Sequence, residues 1–148
     1  MQKPRGSGSS AGIQYDFTVA VLPDTQFYSQ QFPETFHAQT MWLAANATRE
    51  KIVFVSHVGD VVESGGESRK EWQVATAAFS RLRGKIPFGV VAGNHDADFV
   101  GNRSSDFEMY REYCGKQLYK DSPTLVALAQ DECSSIHKVN AQIGRAHV

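Results

Sequence analysis

The chain is poor in three features that would each point to a particular class of protein. It has two cysteines in 148 residues, Cys114 and Cys133, which are too few for a disulfide framework and lack the C-x-x-C spacing of zinc and redox sites. No apolar run approaches the roughly 18 residues of a membrane-spanning helix. With 15 basic and 16 acidic residues, the net charge of −1 provides no broad field for nucleic acid or an anionic membrane. The composition, 41% hydrophobic and 21% charged, is that of a globular domain.

The two ends of the chain differ in composition from its middle. Residues 1–14 are polar and rich in Gly and Ser, without the apolar segment of a signal peptide, so we expect a flexible leader. The compartment is not specified, and the cytoplasm is the default expectation. Residues 143–148 read Ile-Gly-Arg-Ala-His-Val, which is the translation of a common short-read sequencing adapter. We therefore expect a non-native tail there, and a partial domain over residues 15–142.

Three apolar, β-rich runs predict strands at Phe17–Leu22, Ile52–Val58 and Phe88–Ala92. Each run is nearly continuous in its apolar character and is followed by a Pro or Gly turn. Runs of this kind are typical of strands that are covered on both faces, as in parallel sheets.

Helical patterns separate these runs. Pro33 is suited to open the first helix, Ser68 and Glu71 form a capping-box pattern before the second, and a third is expected from Ser105 to Gly115. The order β-α-β-α-β-α predicts right-handed crossovers onto a parallel sheet, an α/β fold. After about Tyr119 the pattern weakens: residues 125–129 favour a strand or a helix, and nothing after them completes a layer.

Polar residues of the kind that bind metals follow each predicted strand. In an open α/β sheet the carboxyl ends of the strands face one crevice, so the topology brings these residues together. Oxygen and nitrogen donors without thiolates suit Mn²⁺, Fe or Zn²⁺. In chain order the residues are Asp24, Gln26, Asp60, Glu63, Asn94, His95 and Asp96.

As an ordered set, these motifs resemble the calcineurin-like metallophosphoesterases. The motifs are Val21-Leu-Pro-Asp-Thr-Gln26, His57-Val-Gly-Asp60 and Val91-Ala-Gly-Asn-His-Asp96, and they are similar to the branch with Gln in place of His in the first motif. The resemblance covers about residues 17–119. It implies the β-α-β-α-β start of an α/β/β/α sandwich that holds two divalent metal ions and hydrolyses phosphate mono- or diesters.

The resemblance also implies a role for each matching residue. Asp24 and Gln26 would bind the first metal, Asp60 would bridge both metals, and Asn94 would bind the second. His95 would act beside the leaving group, oriented by Asp96.

The chemistry of a dinuclear phosphoesterase explains these residue types. Two cations roughly 3.5–4 Å apart stabilise the attacking and leaving oxygens and acidify a shared water into hydroxide. An aspartate can bridge two metals with its two anionic oxygens, whereas Gln26 and Asn94 each offer a neutral oxygen. Glutamine in place of histidine favours a harder ion, so Mn²⁺ is the expected metal. The partner is a phosphate ester, while the sequence specifies neither the substrate-binding residues nor an oligomeric state.

The resemblance is incomplete. Family members finish both metal sites with later histidines that end in a Gly-His-x-His element, which is absent after Asp96. We therefore expect a truncated, N-terminal portion of the fold that is inactive alone, with one apolar sheet face left open. The alternative is a non-catalytic α/β module that binds metal or phosphate, or nothing.

Several other residues are weaker candidates. His57 is expected to be a packed residue, Glu63 a supporting acceptor, and Asp98 and Asn102 at most pocket-lining. We do not expect a functional role for His37 or His137.

Overall fold

The computed structural model describes residues 16–141, so the expected leader at residues 1–14 and the expected tail at residues 143–148 lie outside the described residues. The elements, in chain order, are β1 (Thr18–Leu22), α1 (Gln26–Gln30), α2 (Pro33–Asn46), β2 (Ile52–His57), α3 (Arg69–Phe79), β3 (Phe88–Val90), α4 (Glu108–Cys114), a 3₁₀ turn (Lys116–Tyr119), β4 (Leu125–Leu128) and β5 (Ser135–His137).

Three parallel strands form the main sheet in the order β1-β2-β3. Leu22 pairs with His57, and His57 pairs with Val90, so the three strands end side by side. Helices α1 and α2 connect β1 to β2, and α3 connects β2 to β3, as parallel pairing requires. The α/β class and the β-α-β-α-β order expected from the sequence are confirmed.

Helices α2 and α3 cover one face of the sheet and form the core with it. Phe79 of α3 lies at the centre of this core and is fully buried. Its ring meets Phe36 of α2 edge-on at 5.4 Å between centroids and stacks on Phe88 of β3 at 5.7 Å. The sheet contributes buried side chains from alternate positions, which are Leu22, Val55, His57, Phe88 and Val90.

The other face of the sheet is covered only in part. Val19 and Val21 of β1 remain 48% and 60% exposed. Over β3, the β4–β5 hairpin approaches so closely that a Cβ at Gly89 would lie 3.2 Å from His137 of β5. The hairpin is antiparallel, with Leu125 opposite His137. The partner strand β5 was not predicted from the sequence, but the two-stranded hairpin leaves Val19 and Val21 exposed and does not complete a layer.

Two helix starts differ from the sequence expectation. Helix α4 begins at Glu108, not at Ser105, because the Asp98 carboxylate accepts hydrogen bonds from the backbone N–H groups of Glu108 (2.9 Å) and Met109 (3.3 Å). The Ser105 hydroxyl accepts instead from Phe99 N–H at 2.8 Å. The short helix α1 was not expected; it follows the first motif directly.

Candidate metal and catalytic site

Three loops meet where β1, β2 and β3 end. Asp60, in the loop after β2, lies between the loop after β1 and the loop after β3. Its backbone carbonyl accepts a hydrogen bond from Thr25 N–H at 3.0 Å. Its carboxylate Oδ1 accepts from the backbone N–H of His95 at 2.8 Å. The structure therefore brings the first, second and third motifs together around the central strand, while the metal-binding roles of their residues stay predictions.

Two glycines allow the second and third loops to approach each other. Gly59 has a φ of 97° and Asp60 a φ of 51°, both in the region that glycine adopts most easily. A Cβ at Gly59 would lie 2.9 Å from the backbone nitrogen of Gly93. A Cβ at Gly93 would overlap the backbone nitrogen and carboxylate of Asp60. A side chain at either glycine would therefore push Asp60 out of place.

The first motif presents one carboxylate and one amide. Asp24 is exposed, and its Oδ1 accepts from the backbone N–H of Gln26 at 3.0 Å. The side-chain oxygen of Gln26 is buried and has no hydrogen-bond partner among residues 16–141. A buried oxygen without a partner costs free energy, and binding a cation would satisfy it. Asn94 of the third motif is exposed at its loop.

A buried polar chain ties the first motif to the second. Gly59 N–H donates to His57 Nδ1 at 3.2 Å, so the hydrogen of the neutral ring is on Nε2. Nε2 lies 2.9 Å from the Thr25 hydroxyl, which donates to the Val61 carbonyl at 3.1 Å. Burial lowers the pKa of His57 to about 4, which keeps the ring neutral near pH 7. His57 is thus a packed residue that holds two loops in register.

The His95 ring lies against Glu63 of the second loop. Its Nδ1 is 3.3 Å from the Glu63 carboxylate Oε2 and 3.2 Å from the Glu63 carbonyl oxygen. The carbonyl oxygen forms the hydrogen bond and can only accept, so the Nδ1 atom carries the hydrogen. The carboxylate Oε2 is near the ring but forms no hydrogen bond within residues 16–141. The Nε2 atom of His95 is then left for another partner.

Asp96 does not orient His95, contrary to the expectation from the resemblance. Its carboxylate is fully buried and accepts from the backbone N–H groups of Val61 (2.8 Å), Val62 (3.1 Å) and Gly93 (2.8 Å). A buried carboxylate needs several donors, and these three lie in the second and third loops. Burial raises the pKa of Asp96 to about 7, against the opposing effect of these hydrogen bonds. Asp96 therefore joins the two loops, and Glu63 is the carboxylate beside His95.

The candidate metal ligands carry little negative charge. Within the part of the chain that the structure describes, no group of three or more His, Cys, Asp and Glu side chains is arranged to hold a metal ion. Asp24 and Asp60 supply the carboxylates of the candidate set, and Gln26 and Asn94 supply neutral amides. This set relies on amide oxygens, as the sequence implied, and further ligands would have to complete it.

The weaker candidates lie elsewhere. Asp98 caps α4, and the Asn102 side chain accepts from Ser104 N–H at 3.0 Å, so neither contact involves the site. The His37 ring accepts from the Arg81 guanidinium at 3.3 Å on the helical side. His137 contacts Thr124 and Ser135 at the hairpin, on the outer face of the sheet.

Sequence reasoning gave Glu71 the wrong role. In a capping box its carboxylate would bond to Ser68 N–H, but that group donates to the Ser64 carbonyl at 3.0 Å. The Ser68 hydroxyl does cap α3, accepting from Glu71 N–H at 3.4 Å. The Glu71 carboxylate accepts from Glu63 and Ser64 N–H groups. The sequence carries no signal for this difference, because the pattern is the same in both cases.

Comparisons with known proteins agree with this architecture. The family model described as calcineurin-like phosphoesterase matches residues 17–145. The chain is similar to the uncharacterized protein YvnB of Bacillus subtilis, with 34% identity over 104 residues. That alignment covers 70% of this chain and 8% of YvnB. No solved structure matches the chain. None of the helices in residues 16–141 is both long and apolar enough to cross a bilayer.

Proposed function

Because this chain belongs to the calcineurin-like phosphoesterase family, we propose that it is the N-terminal portion of an enzyme that hydrolyses a phosphate mono- or diester with two divalent metal ions. The observation that carries the proposal is the position of Asp60. Its carbonyl is bonded to the Asp24–Gln26 loop and its carboxylate to the backbone of His95. One residue thereby links the candidate ligands to the candidate proton donor.

The residues present fit a pair of hard cations. Asp24 and Gln26 would hold the first ion, Asp60 would bridge the two, and Asn94 would hold the second. The unpartnered buried oxygen of Gln26 supports this assignment, since a cation would satisfy it. Bound divalent ions, with Mn²⁺ favoured, would supply positive charge to the attacking and leaving oxygens and lower the pKa of a water molecule.

His95 is the candidate proton donor. Its Nδ1–H is directed at Glu63, so a proton taken up at Nε2 is available for an alkoxide that leaves from phosphorus. Asp96 fixes the backbone on both sides of this arrangement through Val61, Val62 and Gly93. These contacts hold the second and third loops together before substrate binds.

A complete site requires residues beyond this set. Two carboxylates and two amides give each ion too few protein ligands, because dinuclear sites also use nitrogen or further oxygen donors. The chain aligns with only 8% of YvnB, which is consistent with a longer protein. We propose that a later Gly-His-x-His element completes the site and that this chain alone hydrolyses little or no substrate.

The test compares this chain with the longer coding sequence that continues it. The longer protein should hydrolyse bis(p-nitrophenyl) phosphate with added Mn²⁺, and Asp60→Asn should abolish that activity because an amide cannot bridge two metals. Asp121→Asn is the matched control, since Asp121 is exposed beside Phe88, at the opposite end of β3 from the site. Retention of activity by Asp60→Asn would overturn the proposal.

His95→Ala separates proton donation from metal binding. It should keep the bound Mn²⁺, measured by elemental analysis, while the rate on an alkyl phosphate ester, whose leaving alkoxide needs a proton, falls by about 10²–10⁴, the usual worth of a general acid. Loss of both ions in this variant would make His95 a ligand instead of a proton donor.

A non-catalytic α/β module is the second candidate. The absence, within residues 16–141, of a group of three His, Cys, Asp or Glu side chains suited to a metal favours it. Under this alternative the longer protein shows no Mn²⁺-dependent hydrolysis, and Asp60→Asn has no activity to remove. The Asp60→Asn comparison therefore decides between the two functions.

A further inference from the structure

We propose that Glu71 is a positioning residue that fixes the Glu63 loop and thereby sets which ring nitrogen of His95 carries the hydrogen. The effect on the His95 ring stands on contacts in this chain alone. The consequence for catalysis rests on the proposed function.

The first step is the contact between α3 and the loop. Glu71 is 6% exposed, and its Oε2 accepts from the backbone N–H groups of Glu63 at 2.9 Å and Ser64 at 3.1 Å. The next residue, Trp72, is fully buried and donates from its indole nitrogen to the Gly65 carbonyl at 2.7 Å. Two successive residues of α3 thus bind three successive residues of the loop.

The second step runs from the loop to His95. The carbonyl oxygen that accepts from His95 Nδ1 belongs to Glu63, and the Glu63 carboxylate lies 3.3 Å from the same atom. Gly65 N–H donates in addition to the His95 carbonyl at 3.1 Å, so the loop and the third motif are joined at the backbone. The Ser64 N–H that Glu71 binds and the Glu63 carbonyl belong to the same peptide group, so Glu71 fixes the acceptor of His95 Nδ1 directly.

The third step concerns the His95 tautomer. A neutral imidazole without constraint carries its hydrogen mainly on Nε2, and a hydrogen bond at one nitrogen decides where the hydrogen lies. The Glu63 carbonyl, which can only accept, favours the Nδ1–H form and leaves Nε2 without a hydrogen in the neutral ring. Release of the Glu63 loop should return His95 to the ordinary mixture dominated by Nε2–H.

The role of Glu71 is separable from helix capping. The Ser68 hydroxyl caps the start of α3, and the Glu71 carboxylate forms no bond with Ser68 N–H, which donates to Ser64. A substitution that keeps an acceptor of the same length at residue 71, such as Glu71→Gln, should therefore keep the His95 tautomer, whatever its effect on helix stability.

The test reads the tautomer directly by long-range ¹H–¹⁵N NMR of the ¹⁵N-histidine-labelled full chain at pH 8.5. The His95 signals are assigned with His95→Ala. Wild type and Glu71→Gln should show the Nδ1–H pattern, because the amide oxygen still accepts from the loop. Glu71→Leu should shift His95 to mainly Nε2–H. Glu67→Leu is the control, because Glu67 is exposed in the same loop and should change nothing.

Glu71→Asp covers the case in which Glu71→Leu does not fold. Aspartate keeps the charge but is one methylene shorter, so it cannot reach both N–H groups, and the Nδ1–H fraction should fall part of the way. Amide hydrogen exchange at Ser64 should accelerate by about tenfold in the same variant. A folded Glu71→Asp with the wild-type tautomer and wild-type exchange would overturn the inference.

An activity measurement on the longer protein tests the catalytic consequence. Glu71→Leu should lower kcat for an alkyl phosphate ester by about tenfold more than kcat for a p-nitrophenyl ester, which leaves without a proton. Equal losses on both esters, together with an unchanged tautomer, would make Glu71 merely structural. If wild type hydrolyses neither ester, the proposed function fails, while the tautomer measurement still decides the role of Glu71.

Discussion

The two faces of the main sheet are built from similar residues and have different surroundings. On the face under α2 and α3, Val55 and Val90 are 1% and 3% exposed. On the outer face, Val19 and Val21 are 48% and 60% exposed, and the β4–β5 hairpin covers only the part near Gly89. An apolar strand pattern therefore predicts that both faces are suited to burial. It does not predict that the described residues bury both faces.

Each face also carries a histidine, and the two rings differ in how deeply they are buried. His57, on the helical face, is 2% exposed, and burial lowers its pKa to about 4. His137, at the hairpin, is only half-buried, and its pKa is lowered by the same cause. The buried ring on the covered face also contacts the first and second motif loops, through the Thr25 hydroxyl and the Gly59 N–H.

The largest expected effect is the loss of packing at Phe79. Phe79→Ala should lower the free energy of unfolding by about 3–5 kcal/mol, since the ring is fully buried against Phe36, His57 and Phe88. Phe54→Ala on the outer face is the matched control and should cost less than about half as much, because Phe54 is only partly buried. Urea unfolding measures both variants, and equal costs would mean that the two faces are packed alike.

The second effect is a loss of stability in acid that comes from His57. The folded pKa lies near 4, below the ordinary 6.5, so the unfolded chain takes up a proton first as the pH falls. The stability that His57 contributes is present above pH 6.5 and is lost as the pH falls toward 4, by about 3 kcal/mol in total. NMR titration of the two ring signals, with His137 as the internal control, gives the pKa values directly.

The variant His57→Gln isolates this contribution from the other titrating groups. The difference in unfolding free energy between wild type and His57→Gln should shrink by about 3 kcal/mol between pH 7 and pH 4. A difference that stays constant over this range would show that the His57 ring is not held neutral.

The sequence allowed the sheet to be predicted because local signals and topology agree there. The apolar runs give β1, β2 and β3, and the Ser68 cap and Pro33 give the starts of α3 and α2. The start of α4 could not be predicted in this way, because its cap comes from Asp98, ten residues before the helix. The β4–β5 hairpin could not be predicted for a similar reason, because β5 is short and only its pairing with β4 identifies it as a strand.

The candidate site divides in the same manner. Its loops could be placed from the strand ends, because parallel strands bring their carboxyl ends to one edge. The carboxylates of Glu63, Glu71 and Asp96 could not be assigned to partners, because a sequence pattern shows only that each residue is acidic. Only packing shows that Glu63 faces His95, while the other two bind backbone amides.

The smallest expected effect tests whether the outer face is a surface or an interface. Val21→Thr should change the unfolding free energy of this chain by less than about 0.5 kcal/mol, because water reaches the new hydroxyl at a side chain that is 60% exposed. Val55→Thr, the matched change on the helical face, should cost about 1–3 kcal/mol, because the hydroxyl would be buried without a partner.

The same pair of variants in the longer protein makes the comparison decisive. We propose that later residues of the longer protein cover the outer face with a second sheet. Val21→Thr should then cost about as much as Val55→Thr, since both hydroxyls would be buried in an apolar layer. Urea unfolding of the four proteins gives the two differences. If Val21→Thr stays nearly neutral in the longer protein, β1 faces water there as well, and the expectation of a second sheet over this face is wrong.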